Sequence, residues 1–222
     1  KSWVERNDIQ FHWHNADYKS FDEFLAALSS SKRKNLRKER QAVKDAAITF
    51  QALTGDDIKP AHWDAFWKFY MDTGSRKWGQ PYLTRQFFEM IHDTIRQRIL
   101  LVMAYHGTRP IAGALNFIGG DTLYGRNWGC TENVPFLHFE TCYYQAIDFA
   151  IARGLQVIEA GAQGEHKLAR GYVPVKTMSY HHFAHPGLAR AVADYLESER
   201  AAIAEGQEEL AAHAPFRHVE GE

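Results

Sequence analysis

The run "ILLVMAYHGTRPIAGALNFIGGDTLYGRNWGC", Ile99 to Cys130, decides the fold. It holds three strand-like segments, "ILLVMAYH", "PIAGALNFIG" and "TLYGRNWGC", separated only by "GTR" and "GGD". Such short glycine-bearing separators are hairpin chemistry, so the spacing predicts a three-stranded antiparallel meander. Upstream, "DIQFHW" (Asp8–Trp13) alternates polar and apolar residues as a short strand does. Ser20 then reads as an N-cap, with Glu23 completing a capping box. The helix it opens is expected to run through Phe24, Leu25, Leu28 and Leu36 to about Val43. "ITFQAL" is the next strand, followed by two aromatic-rich helical stretches, "PAHWDAFWKFYMDTG" and "TRQFFEMIHDTIRQ". Downstream of the meander, Pro135 starts a helix that Gly154 stops. "VIEAGA" and "VPVKTMSYHHFA" read as strands, and a last helix spans about Leu188 to Ala212. This order predicts an α+β fold: a mixed, mostly antiparallel central sheet with helices on both faces.

The totals set limits. A chain of 222 residues can bury a good core, and 45% hydrophobic residues is ordinary for a globular protein. The formal net charge of −1 excludes a global field toward nucleic acid or membrane, so any such binding needs a local patch. Cys130 and Cys142 make no disulfide framework, which points to a reducing compartment. No apolar run approaches the roughly 18 residues of a membrane span and no leader is visible, so a cytoplasmic location is expected. The start at Lys1, running straight into "SWVERNDIQFHWHN", reads as the middle of a longer chain. Walker, G-x-S-x-G and Rossmann patterns are absent. The histidines of "HWH" (His12–His14) and "HHFAH" (His181–His185) lack metal spacing, so no metal site is expected. Cys142, inside a helix among aromatics, has no evident activating base.

Three constellations carry chemistry. "SSSKRKNLRKER" (Ser29–Arg40) packs three lysines and three arginines into nine residues. On one continuous wheel, Phe21, Phe24, Leu25, Leu28, Leu36, Ala42 and Val43 share an arc, and Arg33, Lys34, Arg37 and Lys38 point away from it. Lys32, Asn35 and Glu39 fall inside the arc, so they are expected to pair with one another or to line a polar cleft. The outer charges would form a phosphate-attracting rim. In "GRNWGCTENVPFLHFETCYY", Phe139, Tyr143, Ala146, Ile147 and Ala150 recur at core spacing, leaving His138 and Glu140 on other faces as an acid–base pair or as plain surface residues. "EAGAQGEHKLARGY" (Glu159–Tyr172) gathers Glu159, Gln163, Glu165, His166, Lys167, Arg170 and Tyr172 on a glycine-bearing loop after a strand.

Together, "FHWHNADYKSFDEFLAALSSSKRKNLRKER", "GRNWGC…LHFETCYYQAI" and "GAQGEHKLARGYVPVKTMSYHHF" resemble the FemAB-like predicted N-acyltransferases of bacteria, described as peptidoglycan biosynthesis/recognition proteins within the GNAT superfamily. The resemblance runs from about Trp3 to His185. It implies a GNAT-like domain over 1–187, as the C-terminal half of a longer protein, with a C-terminal helix and polar tail over 188–222. It also implies a transferase moving an acyl or aminoacyl group to an amine, such as a cell-wall precursor. The donor would be aminoacyl-tRNA or acyl-CoA; "RNWGCTEN" lacks the [QR]-x-x-G-x-[GA] loop of acyl-CoA enzymes, which favours a different donor. For the attack of a neutral amine on an activated carbonyl, Glu140 and Glu165 are the candidate bases, with His138 and His166 behind them and Tyr172 as acid. Lys32, Asn35, Arg33, Arg37, Arg126, Lys167 and Arg170 are the candidate phosphate- and substrate-binding residues. The alternatives are a non-catalytic GNAT-like module binding tRNA or a nucleotide-linked precursor, and RNA binding through Arg33, Lys34, Arg37 and Lys38 alone.

Overall fold

Along the chain the elements run β1 (Val4–His14), α1 (Phe21–Ala27), α2 (Ser30–Asp45), β2 (Ile48–Thr54), α3 (Pro60–Lys77) and α4 (Arg85–Ile95). The meander follows as β3 (Ile99–His106), β4 (Arg109–Gly119) and β5 (Thr122–Cys130). Then come α5 (Leu137–Phe139), a π segment (Glu140–Tyr144), α6 (Gln145–Arg153), β6 (Val157–Glu159), a 3-10 turn (Glu165–Arg170), β7 (Val173–His181) and α7 (Pro186–Ala212). This computed structural model describes residues 3–77, 81–162 and 164–217. The chain divides into two units, His14–Glu159 and Lys1–Trp13 with Ala160–Glu222.

In the His14–Glu159 unit the strands lie in the order β2-β3-β4-β5-β6. The first four pair antiparallel and only β6 joins parallel. The meander forms as its separators predict, with Gly107 and Gly120 at φ 62° and 61° in the two turns. The sheet is covered on both faces, and β3 shows why: alternate residues of a strand face opposite sides. Ile99, Leu101 and Met103 join Trp63, Phe66 and Phe88 of α3 and α4 in one core cluster. Ala104 joins Val43 of α2 and Leu137 of α5 in the other.

The expected Ser20-to-Val43 helix is two helices. Ser20 caps α1, accepting from the Glu23 N–H, while Glu23 accepts from the Lys19 N–H, one residue before the cap. Leu28 then turns extended (φ −80°, ψ 156°), and α2 starts afresh after Ser29. Serines compete with the backbone for hydrogen bonds and favour helix ends, which makes "LSSS" a natural break. The Pro135–Gly154 helix is interrupted as well. Phe136 sits at φ 63°, a strained position for a residue with a side chain, and Glu140–Tyr144 winds as a π segment.

In the other unit β1 pairs antiparallel with β7 from Val4↔His181 to His12↔Val173. The helix α7 ties to β1 through Arg6, which reaches Glu199 at 3.1 Å, and through Arg200, which donates to the Glu5 carbonyl at 2.9 Å. Among the described residues, no helix is long and apolar enough to cross a membrane.

Candidate functional site

The residue that organises a site in the His14–Glu159 unit is Glu140, the first residue of the π segment. Only 3% of it is exposed, so it is neither a surface residue nor a first-turn ornament. Its Oε1 accepts from Arg40 at 3.0 Å and from Gln145 at 2.8 Å. Its Oε2 is buried with no hydrogen-bond partner among the described residues. Burial raises the Glu140 pKa, and the opposing pull of Arg40 and Gln145 does not cancel it.

Arg40 reaches Glu140 from α2 because it shares a face with buried Leu36 and Val43, four residues after one and three before the other. Its guanidinium lies 4.3 Å from the centre of the Phe21 ring, a cation–π distance, and also donates to Asp148 of α6 at 2.7 Å. Burial works against the Arg40 charge, but Glu140 and Asp148 outweigh it and hold its pKa above the usual arginine value. Beside this group the Tyr144 hydroxyl donates to Glu39.

A cavity of about 490 Å³ opens on the cluster, with Glu140, Arg40 and Gln145 among its lining. Phe21, Leu25, Val43, Ile48 and Phe50 supply its apolar walls. Exposed Asp22, Arg37 and Lys44 supply a charged rim. The cavity is therefore lined by exposed charged groups, by apolar side chains and by a buried carboxyl whose Oε2 has no hydrogen-bond partner among the described residues. That carboxyl can accept a proton or bind a hydrogen-bond donor.

The other candidates fall elsewhere. His138 is half-buried, its ring packed 5.0 Å from Trp128 and edge-on to Tyr143 at 5.4 Å. Lys32 and Arg33 are half-buried, and Asn35 is exposed rather than inward. The wheel misplaces Asn35 because the break at Leu28 resets the helical phase between α1 and α2. Arg126 is exposed and donates to the Tyr82 hydroxyl at 3.0 Å.

His166, Lys167, Arg170 and Tyr172 belong to the other unit. Gly161, Gly164 and Gly171 take positive φ there, as a tight path requires. Lys167 and Arg170 are each only 5% exposed. Lys167 donates to the carbonyls of Ala160 (2.5 Å) and Gly161 (3.1 Å), and Arg170 to that of His166 (2.7 Å). Both cations thus staple the loop's own backbone. His166 is held below its usual pKa by partial loss of water and by nearby Arg170 and Lys167. Tyr172 is fully buried. Gln163 and the Glu165 side chain lie outside the described residues. Among the described residues, no group of three metal-ligating side chains is gathered.

A family model described as FemAB-like, peptidoglycan biosynthesis/recognition, matches residues 1–218. The chain belongs to the FemAB-like family. No curated protein matches this FemAB-like chain by sequence. Among solved structures it is similar to L-PGS from Bacillus licheniformis, at TM-score 0.56 and 10% identity over 80% of this chain and 60% of that one. It is also similar to FemX, at TM-score 0.54 and 14% identity over 70% and 53%. A conserved protein of unknown function from Bacteroides thetaiotaomicron gives TM-score 0.53 and 14% identity over 81% and 62%. At such identities the likeness is one of fold. The FemAB-like chain spans between 53% and 62% of the length of these three structures.

Proposed function

We propose that the chain is the acyl-transfer part of an N-acyltransferase that moves an acyl or aminoacyl group to a primary amine, with Glu140 as general base. One observation carries this: a buried carboxyl with raised pKa, one oxygen held by Arg40 and Gln145 and the other without a partner among the described residues, lining a cavity with cationic groups at its rim. An amine of pKa near 10 arrives largely as ammonium and must lose a proton before it can attack. The Glu140 carboxylate, which lines the cavity, would receive that proton. The amine nitrogen then adds to the donor carbonyl, its second proton passes to the leaving oxygen or sulfur, and the tetrahedral intermediate collapses with the donor's carbon–heteroatom bond broken and the C–N bond kept. Arg37 and Lys44 would hold a donor phosphate; membership of a family described by peptidoglycan biosynthesis supports a cell-wall acceptor. Aminoacyl-tRNA is the donor favoured by the absence of the acyl-CoA loop pattern at "RNWGCTEN".

The test is transfer of radiolabel from aminoacyl-tRNA, and in parallel from acyl-CoA, to an amine-bearing cell-wall precursor. Glu140→Gln should lower the transfer rate by about 10²-fold or more while leaving donor binding in place. An unchanged rate removes Glu140 from the chemistry.

A second reading, a recognition module without chemistry, is favoured by the fact that Glu140 already joins α2 to the π segment through Arg40. On that reading Glu140→Gln lowers ligand affinity and stability together, and neither donor is turned over by the wild type.

A further inference from the structure

A carboxyl beside an arginine is usually neutralised by it, yet here the pairing is incomplete, and Asp148 supplies the reason. A single Arg40 nitrogen, Nη2, serves two carboxylates: Asp148 Oδ2 at 2.7 Å and Glu140 Oε1 at 3.0 Å. The shorter bond goes to Asp148, whose side chain is 38% exposed, while the Glu140 side chain is 5% exposed. Phe21 stacked on the guanidinium fixes where Arg40 lies between them.

We propose that Asp148 is a positioning residue for Glu140: by holding Arg40 from the solvent side, it keeps the guanidinium from closing a full ion pair, so that Oε2 stays without a partner among the described residues. Asp148 thereby sets how far Glu140 is ionised and which of its oxygens is free, without touching what the cavity binds. This rests on the reading of Glu140 as the base, and it assigns a role to a residue one helix away.

The geometry depends on the π segment. Eight residues separate Glu140 from Asp148, which on an unbroken α-helix puts them about 80° apart. One π turn absorbs an extra residue, and the two then lie within roughly 20° of one face. The same turn brings Gln145, five residues on, against Glu140 Oε1.

The charged and titratable groups around Glu140 are few. Arg40 binds it from α2 and Asp148 holds Arg40 from α6; the Glu39–Tyr144 pair lies on α2 and the π segment, His138 is on the adjoining α5, and Asp22, Arg37 and Lys44 line the cavity. The described parts of β3 and β4, which pack against the π segment, bring no buried titratable side chain to it.

The experiment is carboxyl NMR on protein labelled with ¹³C at the glutamate side-chain carboxyl, with Glu140 assigned by its absence in Glu140→Gln. The full chain is titrated with no donor or acceptor present. In Asp148→Asn, Arg40 is left to Glu140 alone, and the Glu140 midpoint should fall by about one pH unit, as expected when a neighbouring like charge that competes for the same cation is removed. Asp148→Glu should restore most of the wild-type midpoint, and Arg40→Gln should move it upward. A Glu140 midpoint unmoved by Asp148→Asn overturns the proposal, as does an upward move. Because the readout needs no turnover, failure of acyl transfer would sink the base assignment and leave this result standing.

Discussion

Glu140 is a carboxyl that its surroundings push toward the neutral form. Burial raises its pKa above the ordinary 4.5, and Arg40 and Gln145 offset only part of that. The folded chain therefore holds this proton more tightly than the unfolded chain does. The linkage adds stability below the unfolded-state pKa, and that contribution is lost as pH rises through the higher folded-state value. Glu140→Gln cannot titrate, so it removes the dependence. Thermal unfolding of both proteins between about pH 4 and pH 8 should favour the wild type most at the acid end, with the difference declining toward neutrality. A difference that does not vary with pH would make Glu140 an ordinary carboxylate and undercut its role as base. Glu140 itself was legible in the sequence as a polar residue near a helix start; its companions were not. Arg40 was hidden because a wheel drawn across Leu28 and Ser29 carries the phase of α1 into α2. Gln145 and Asp148 were hidden because 3.6-residue periodicity sends them away from Glu140, and only the π turn brings them round.

The elements were legible where local chemistry decides them. The hairpin separators fixed the meander, Thr84 caps α4 by accepting from the Phe87 N–H, and Gly154 ends α6. Long-range pairing decided the rest. Glu5 and Arg6 carry no alternation that marks a strand, yet β1 extends through them because β7 offers partners as far as His181. Helix-to-sheet packing is similarly invisible in one sequence, and Gly129 on β5 shows its demand. A Cβ there would stand 2.3 Å from the Phe69 carbonyl oxygen of α3, a backbone atom that cannot swing aside. Gly120, in the β4–β5 turn, has open space but positive φ. Gly120→Ala should therefore cost about 1 kcal/mol through backbone strain alone. Gly129→Ala should cost about 3 kcal/mol by forcing α3 off the sheet. In thermal melts that places Gly129→Ala several degrees below Gly120→Ala, at roughly 2–4 °C per kcal/mol for a chain of this size. Equal melting temperatures would mean that α3 can slide without loss.

Charge is distributed over the whole molecule in a way its total conceals. The chain has a formal net charge of −1, but α2 alone carries seven basic and two acidic residues, so everything outside α2 is net acidic. A phosphate-bearing donor of the proposed kind would then be attracted by one helix and repelled on average by the rest. Lys34, Arg37 and Lys38 are exposed on that helix, and Arg37 and Lys44 stand at the cavity rim. Binding of uncharged tRNA, used as the probe, should weaken steeply with salt, because each neutralised phosphate releases counterions. Replacing Lys34, Arg37 and Lys38 together by glutamine should lower the slope of log affinity against log salt by about two to three units, near one for each lost contact. Neutralising Arg153, on α6, should leave that slope unchanged. If the slope survives the triple replacement, the phosphate is not held by Lys34, Arg37 and Lys38. If affinity and slope fall together while Glu140→Gln leaves both untouched, binding and chemistry are divided along one cavity, phosphate at the α2 rim and proton transfer at its buried carboxyl.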